Sequence, residues 1–335
     1  MKHDRILLSH GSGGSLMHSL IRDIFLRKFN NPVLNQLADA ATLALKGEAA
    51  FTTDSFVVSP LFFPGADIGK LAVCGTVNDL VMAGAVPEYL SLGIIAEEGL
   101  KIAVLEKICD SIRSSAKKAG VRIVTGDFKV VEKGACDKIF INTSGVGRIT
   151  GKSRMSAQMI EPGDKVIITG EIAQHGLAVL AKRKNIDLKL NIKSDCQELA
   201  SMLVPVIKKT GAVRFMRDPT RGGLATTLNE IARSSRKGIL IDEKSIPVSS
   251  QVKTACDLLG IDPLYVANEG KAVLIVENKK SGRIMAMLKK HPLGKRCAVI
   301  GSVSENFKGR VILNTPVGTQ RLVDMLSGEQ LPRIC

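Results

Sequence analysis

The chain has no tryptophan and only two tyrosines in 335 residues. Its ten phenylalanines do not alternate with basic residues either, so the stacking platform of an RNP-type RNA binder is missing. Long apolar runs are also lacking. Nothing approaches the roughly 18 consecutive apolar residues of a membrane span, and Met1-Lys2-His3-Asp4-Arg5 is followed only by Ile6-Leu7-Leu8, too short for a secretory signal. A cytoplasmic protein without a membrane segment is expected. Acidic residues are scarce, 32 against 47 Lys and Arg, for a formal charge of +15. The longest basic run is Lys182-Arg183-Lys184, so the excess reads as a solvated basic surface. It suits nucleotide phosphates or an acidic protein and does not predict nucleic-acid binding. Cysteine is sparse and unpaired: Cys74, Cys109, Cys136, Cys196, Cys256, Cys297 and Cys335 are odd in number, scattered, and never spaced CxxC. That argues against a disulfide framework and a Cys-rich zinc site. Most lie in apolar surroundings that suit small buried hydrophobes; Cys335, in Leu331-Pro332-Arg333-Ile334-Cys335, does not.

What is present is a soluble globular composition, 45% hydrophobic and 24% charged with 31 glycines. The length suits two domains. Apolar periodicity predicts an α/β (α+β) chain with a glycine loop at 11–14 opening a helix and a short strand at 50–53. A buried helix at 68–85, a strand at 86–96, a helix at 102–118, and strands at 121–125 and 138–149 follow. After a boundary near 150–163, strands are predicted at 165–169, 238–242, 271–276 and 298–303. Helices are predicted at 176–184, 198–209 and 283–290, with another opening near Arg221. The expected division is residues 1–150, 151–326, and a flexible tail at 327–335.

The chemistry-bearing residues are mostly acidic. Asp54 follows Phe51-Thr52-Thr53, and Asp79 interrupts an apolar helix beside Asn78. Asp127 follows Thr125-Gly126 with Lys129 close by, Asp218-Pro-Thr-Arg221-Gly-Gly223 opens a helix, and Glu269 lies between Asn268 and Gly270. Singly, each is a cap, a turn residue or a ligand. A carboxylate inside an apolar helix costs several kcal/mol, of order 2–7, unless paired or bound to a cation. Together they are read as carboxylates on loops at element ends, the hard oxygen donors that Mg²⁺ and a triphosphate require. His10-Gly11-Ser12-Gly13-Gly14 is either a structural turn or an anion cradle, for it matches neither common phosphate-loop pattern. His10 and His175 each read as a structural residue or a substrate contact, and Met202, Met216 and Met285 as core filling.

The stretches HGSGG at His10, TTDSFVVSPLFFPG at Thr52, VNDL at Val77, VTGDFKVV at Val124, DPTRGG at Asp218, NEGK at Asn268, HPLGK at His291 and PRIC at Pro332 together resemble the HypE family of hydrogenase maturation proteins, carbamoyl dehydratases. DPTRGG and NDL are shared with the wider superfamily of aminoimidazole ribonucleotide synthetase and selenophosphate synthetase. The resemblance implies a two-domain PurM-like fold whose N-terminal domains form a β-barrel at a homodimer interface, with ATP nearby. It implies nucleotide contacts at Gly11, Gly13, Gly14, Asp54, Asp79, Asp127, Lys129, Asp218 and Arg221, and Mg²⁺ ligands at Asp39, Asp54, Asp79, Asp127 and Asp218. It further implies catalytic roles for Asp79, Lys129, Glu269 and the modified Cys335, carbamoylation by HypF, and cyanide delivery to a HypC–HypD complex. Phe128 stands where the family usually has threonine, and Ala38-Asp39-Ala40-Ala41 replaces a double aspartate. The rival enzyme, selenophosphate synthetase, carries a reactive cysteine or selenocysteine near the glycine loop, and none lies between His10 and Gly14. A non-enzymatic basic binding protein is the alternative from another class.

Overall fold

The computed structural model describes residues 4–150, 155–186 and 190–325. Its N-terminal half runs through α1 (Ser15–Leu20), a π-helical stretch (Ile21–Leu26), α2 (Arg27–Phe29), β1 (Ala49–Phe56), β2 (Phe62–Phe63), β3 (Ala66–Asp67), α3 (Ile68–Met82), β4 (Ala85–Glu97), α4 (Ile102–Ala119), β5 (Arg122–Val131) and β6 (Ile139–Ile149). The C-terminal half runs through β7 (Lys165–Ile168), α5 (Gln174–Lys184), α6 (Ala200–Thr210), β8 (Val213–Arg217), α7 (Gly223–Ser235), β9 (Gly238–Asp242), α8 (Ser250–Leu259), β10 (Val273–Val276), α9 (Asn278–Lys290), β11 (Ala298–Ser304), β12 (Val311–Asn314) and β13 (Gln320–Val323).

Two sheets organise these elements. The first is ordered β1-β6-β4-β5, antiparallel except for the parallel β4–β5 pair, and the second β13-β12-β9-β11-β7-β10-β8, antiparallel except for β9–β12. Helix α3 lies against the first sheet and α4. Asp67 caps it by accepting the N–H groups of Gly69 at 2.8 Å and Lys70 at 3.1 Å, which satisfies two of the donors that a helix start leaves open. Leu71, Ala72, Val73, Val77 and Val81 are fully buried, so this helix is apolar around most of its circumference. Strand β1 alternates instead: Phe51 is exposed, while Phe56 at the strand end is buried against α3.

Several elements differ from the sequence reading. Strand β5 reaches Val131 and β1 reaches Phe56, so Asp127 and Asp54 sit inside strands where element ends were expected, while Asp79 lies inside the helix predicted around it. The ladder explains this: Asp127 is paired with Gly93 of β4, and Asp54 with Thr143 of β6. Tertiary pairing outweighs the poor strand preference of Asp and Gly. Helix α9 begins five residues earlier than its apolar pattern, at the polar Asn278. Strands β8, β12 and β13 and helix α8 had no prediction. The expected tail, Cys335 included, lies outside the described residues.

Candidate active site

Asp54, Asp79, Asp218, Arg221 and Glu269 line one cavity of about 390 Å³ between the two halves of the chain. They arrive from four separate parts of the chain. Strand β1 supplies Asp54, which accepts the Ser55 N–H at 2.8 Å and faces the Arg221 guanidinium at 3.8 Å. Helix α3 supplies Asp79, whose carboxylate accepts the Thr52 hydroxyl at 3.1 Å. Asp218 and Arg221 sit on the turn before α7. There Gly222 and Gly223 both have positive φ, +70° and +61°, and a Cβ on Gly223 would stand 2.6 Å from the Leu264 carbonyl oxygen. Only glycine allows that turn to press against the 264–266 backbone.

The cavity is electrostatically tense. Burial raises the Asp54 and Asp79 carboxyls above their ordinary value. Burial, then the charge of Asp79 and of Asp54, pushes Asp218 up to about 7. Glu269 is only 5% exposed, and burial followed by the charge of Asp218 raises it well above the usual range. Clustered carboxylates that resist joint ionisation are the donor set a hard divalent cation relieves. They also leave one group protonated near neutrality, as acid–base work requires.

The Asn268–Lys271 turn is held from all sides. Asn268 is fully buried; its Oδ1 accepts the Ala173 N–H at 2.7 Å and its Nδ2 donates to the carbonyls of Pro219 and Val266, each at 3.0 Å. Asn78 Nδ2 donates to the Glu269 carbonyl at 3.3 Å and to the Gln197 carbonyl at 3.0 Å, while its Oδ1 accepts the Leu199 N–H at 2.8 Å. The polar break at Asn78 was visible in the sequence. The segment 194–199 that it grips carried no such signal.

A second group stands apart from that cavity. Lys129 pairs with Asp127 at 3.3 Å, both well exposed on one face of β5. The backbone of Gly11 lies against the same strand: a Cβ there would sit 2.6 Å from the Val130 nitrogen. Gly13 and Gly14, by contrast, stand in open space. Between β5 and the helical segment 15–29 is an apolar hollow of about 130 Å³ whose walls include Phe25, Phe29, Leu92, Asp127 and Phe128. Phe128 is buried, its ring centroid 5.5 Å from that of Phe25, so this side chain completes an apolar wall. Asp39 is exposed on a bend and does not line the cavity with the other carboxylates. Among the described residues, no three His, Cys, Asp or Glu side chains already converge as a metal cage.

The remaining candidates make contacts within the fold. His10 Nδ1 accepts the Leu7 N–H at 2.9 Å. His175 is fully buried, with Nδ1 2.8 Å from the Ser194 hydroxyl, and burial pushes it down to about 4. Met202 and Met216 are buried and Met285 packs against the core. Among the described cysteines, burial lifts Cys109 up to about 12 and Cys256 up to about 11, which makes them poor nucleophiles.

Known proteins resemble the chain along nearly its whole length. Residues 37–149 match the AIR synthase related protein N-terminal domain, and residues 161–314 the corresponding C-terminal domain. The carbamoyl dehydratase HypE of Rhizobium leguminosarum bv. viciae is 48% identical over 99% of this chain and 95% of its own length. A crystal structure of the hydrogenase maturation protein HypE in complex with ATP superposes with a TM-score of 0.95 at 47% identity, covering 98% of this chain and 99% of that one. A HypE chain from a HypE–HypF complex gives 0.81 at 45% identity, covering 92% and 100%. With both halves matched in order and nearly every residue covered, the chain belongs to the HypE family of carbamoyl dehydratases, hydrogenase maturation proteins built on the AIR synthase related fold.

Proposed function

We propose that the chain uses ATP to dehydrate a carbamoyl group carried on the sulfur of its own Cys335, forming a thiocyanate for the cyanide ligands of a [NiFe]-hydrogenase iron. The observation that carries this reading is the cavity in which Asp54, Asp79, Asp218, Arg221 and Glu269 meet. It combines carboxylates for a cation, a guanidinium for phosphate, and a buried carboxyl raised well above the usual range, which is a stronger base than an ordinary carboxylate once ionised.

The atoms balance as follows. The thiocarbamate carbonyl oxygen attacks the γ-phosphorus of ATP, the bond to ADP breaks, and one N–H proton is lost, leaving an S-linked imidoyl phosphate. Loss of the second N–H proton and cleavage of the C–O bond expel phosphate and leave the nitrile. Glu269 or Asp79 takes a proton from nitrogen, and Lys129 neutralises charge near the phosphates. Most of the rate comes from positioning and charge compensation. Asp54, Asp79 and Asp218 suit Mg²⁺, with Asp127 and Asp39 as more distant ligands brought by the resemblance. When bound, the ion supplies charge neutralisation for the triphosphate.

In this reading HypF loads the carbamoyl group and a HypC–HypD complex receives the cyanide. The protein works as a cytoplasmic homodimer whose four-stranded sheets close into a shared barrel. No helix among the described residues is long and apolar enough to cross a membrane. The N-terminal unit, residues 1–150, binds nucleotide and dimerises; residues 151–326 close the site; residues 327–335 carry the sulfur. The deciding experiment is intact-mass measurement after incubation with HypF, carbamoyl phosphate and Mg²⁺-ATP. The parent chain gains a cyano group and Cys335→Ala does not; a Cys335→Ala chain that still gains it overturns the reading.

A further inference from the structure

The buried carboxylate of Asp195 has no place in the reaction just described, yet it holds the backbone of the turn that carries Glu269. Its side chain is 1% exposed. Its Oδ1 accepts the Glu269 N–H at 3.2 Å, and its Oδ2 accepts the Gly270 N–H at 3.3 Å and the Lys271 ammonium at 2.9 Å. Three consecutive residues therefore donate to one carboxylate. We infer that Asp195 is the positioning residue for Glu269, fixing the Asn268–Lys271 turn so that the Glu269 carboxyl meets the substrate nitrogen. The inference rests on the proposed role of Glu269.

Three features separate this clamp from ordinary core satisfaction. The turn has no ladder of its own: β10 begins only at Val273, so side chains must fix the backbone at 269 and 270. The approach is also as close as packing permits, because a Cβ on Gly270 would fall 1.9 Å from the Asp195 carbonyl oxygen. Finally, the charge is maintained at a buried site. Burial opposes ionisation of Asp195, but the Lys271 ammonium and the donated Glu269 N–H outweigh it and hold the carboxyl below its ordinary value. An ionised acceptor binds two backbone donors more tightly than a neutral one would.

The clamp is itself anchored across the molecule. Ser194 donates its N–H to the Pro64 carbonyl at 2.8 Å, and the Ser194 hydroxyl accepts the Cys196 N–H at 3.1 Å while facing His175. Asn78 grips Gln197 and Leu199 on the same segment and the Glu269 carbonyl as well. Glu269 thus has its N–H fixed by Asp195 and its C=O by Asn78, leaving mainly its side-chain torsions adjustable. Proton transfer is sensitive to displacements of about 1 Å.

The test uses the full chain, its Cys335 thiol carbamoylated with cyanate in the absence of nucleotide, and follows loss of one water by intact mass after adding Mg²⁺-ATP. Asp195→Asn is expected to slow the single-turnover rate roughly 10–100-fold while ATP affinity changes less than about threefold. In a Glu269→Gln background the same substitution is expected to cause no further slowing, because its effect passes through Glu269. A Glu269→Gln chain as fast as the parent overturns the role of Glu269. A slow Glu269→Gln chain beside a fast Asp195→Asn chain overturns the clamp alone, as does a penalty that persists in the double variant. If Asp195→Asn fails to fold, Asp195→Asn with Lys271→Gln removes the unpaired ammonium. That folded variant must also be slow, and parental turnover rejects the inference.

Discussion

Asn78 and Glu269 are 191 residues apart, yet the Asn78 side-chain amide donates to the Glu269 carbonyl at 3.3 Å. The bond ties helix α3 to the turn before β10. Because Asp79 follows Asn78 directly, it also fixes the relation between the two proposed proton acceptors. Asn78 makes three hydrogen bonds to backbone groups of the C-terminal half while only 2% exposed.

Replacing Asn78 by alanine removes all three and leaves two carbonyls and an N–H without that partner. Unsatisfied buried groups cost about 1–3 kcal/mol each, partly relieved by water. Asn78→Ala is expected to lose about 2–4 kcal/mol of stability in urea titration, together with most of its thiocyanate formation. A variant as stable as the parent would show that the interface is held elsewhere.

Glu269→Gln keeps the volume and removes the base. Loss of a general base typically slows a reaction by about 10²–10⁴-fold. The expected signature is a rate loss in that range with nucleotide binding retained, read by calorimetric titration with ATP beside the mass assay. Equal loss of affinity and rate would reassign Glu269 to binding.

These two residues were legible in the sequence for a physical reason. Asn78-Asp79 breaks an apolar helix, and Glu269 sits between Asn268 and Gly270, so each contradicts what burial or strand formation alone would select. Asp218 and Arg221 stood out in the same way, before a proline and before paired glycines. Asp54 and Asp127 were found as residues but placed at element ends, because the ladder partners that carry β1 and β5 past them lie far along the chain. Asp195 was not legible. It lies in a segment without helix or strand, and its partners Glu269 and Lys271 are 74 and 76 residues away. Local periodicity carries no trace of such a contact.

Asp218 gives the cavity a pH dependence of defined sign. Its folded pKa, about 7, lies above the ordinary 3.8. The stability contributed by its protonated form is fully present below about pH 4 and is lost as pH rises through 7. Asp218→Asn, which mimics that form, is expected to stabilise the nucleotide-free protein at pH 8 by on the order of 2 kcal/mol, and to match the parent near pH 4. Urea midpoints across that range measure it, and an offset independent of pH would contradict the assignment.

The separation of Lys129 from the cavity makes the last prediction. Lys129 lies on β5 and Asp54 on β1, the two opposite edges of the four-stranded sheet. When two such sheets close into a barrel about a two-fold axis that runs along the barrel, β5 of one chain meets β1 of the other. In the proposed homodimer, Lys129 therefore serves the Asp54–Asp79–Asp218–Glu269 cavity of its partner. Lys129→Ala and Glu269→Gln chains are each expected to be nearly inactive alone. In a randomly assorted mixture half the dimers are mixed, and each of these has one intact site, so initial thiocyanate formation should recover to roughly a quarter of the parental rate. A site built within one chain leaves no intact site in any dimer, and the mixture then stays as inactive as its components.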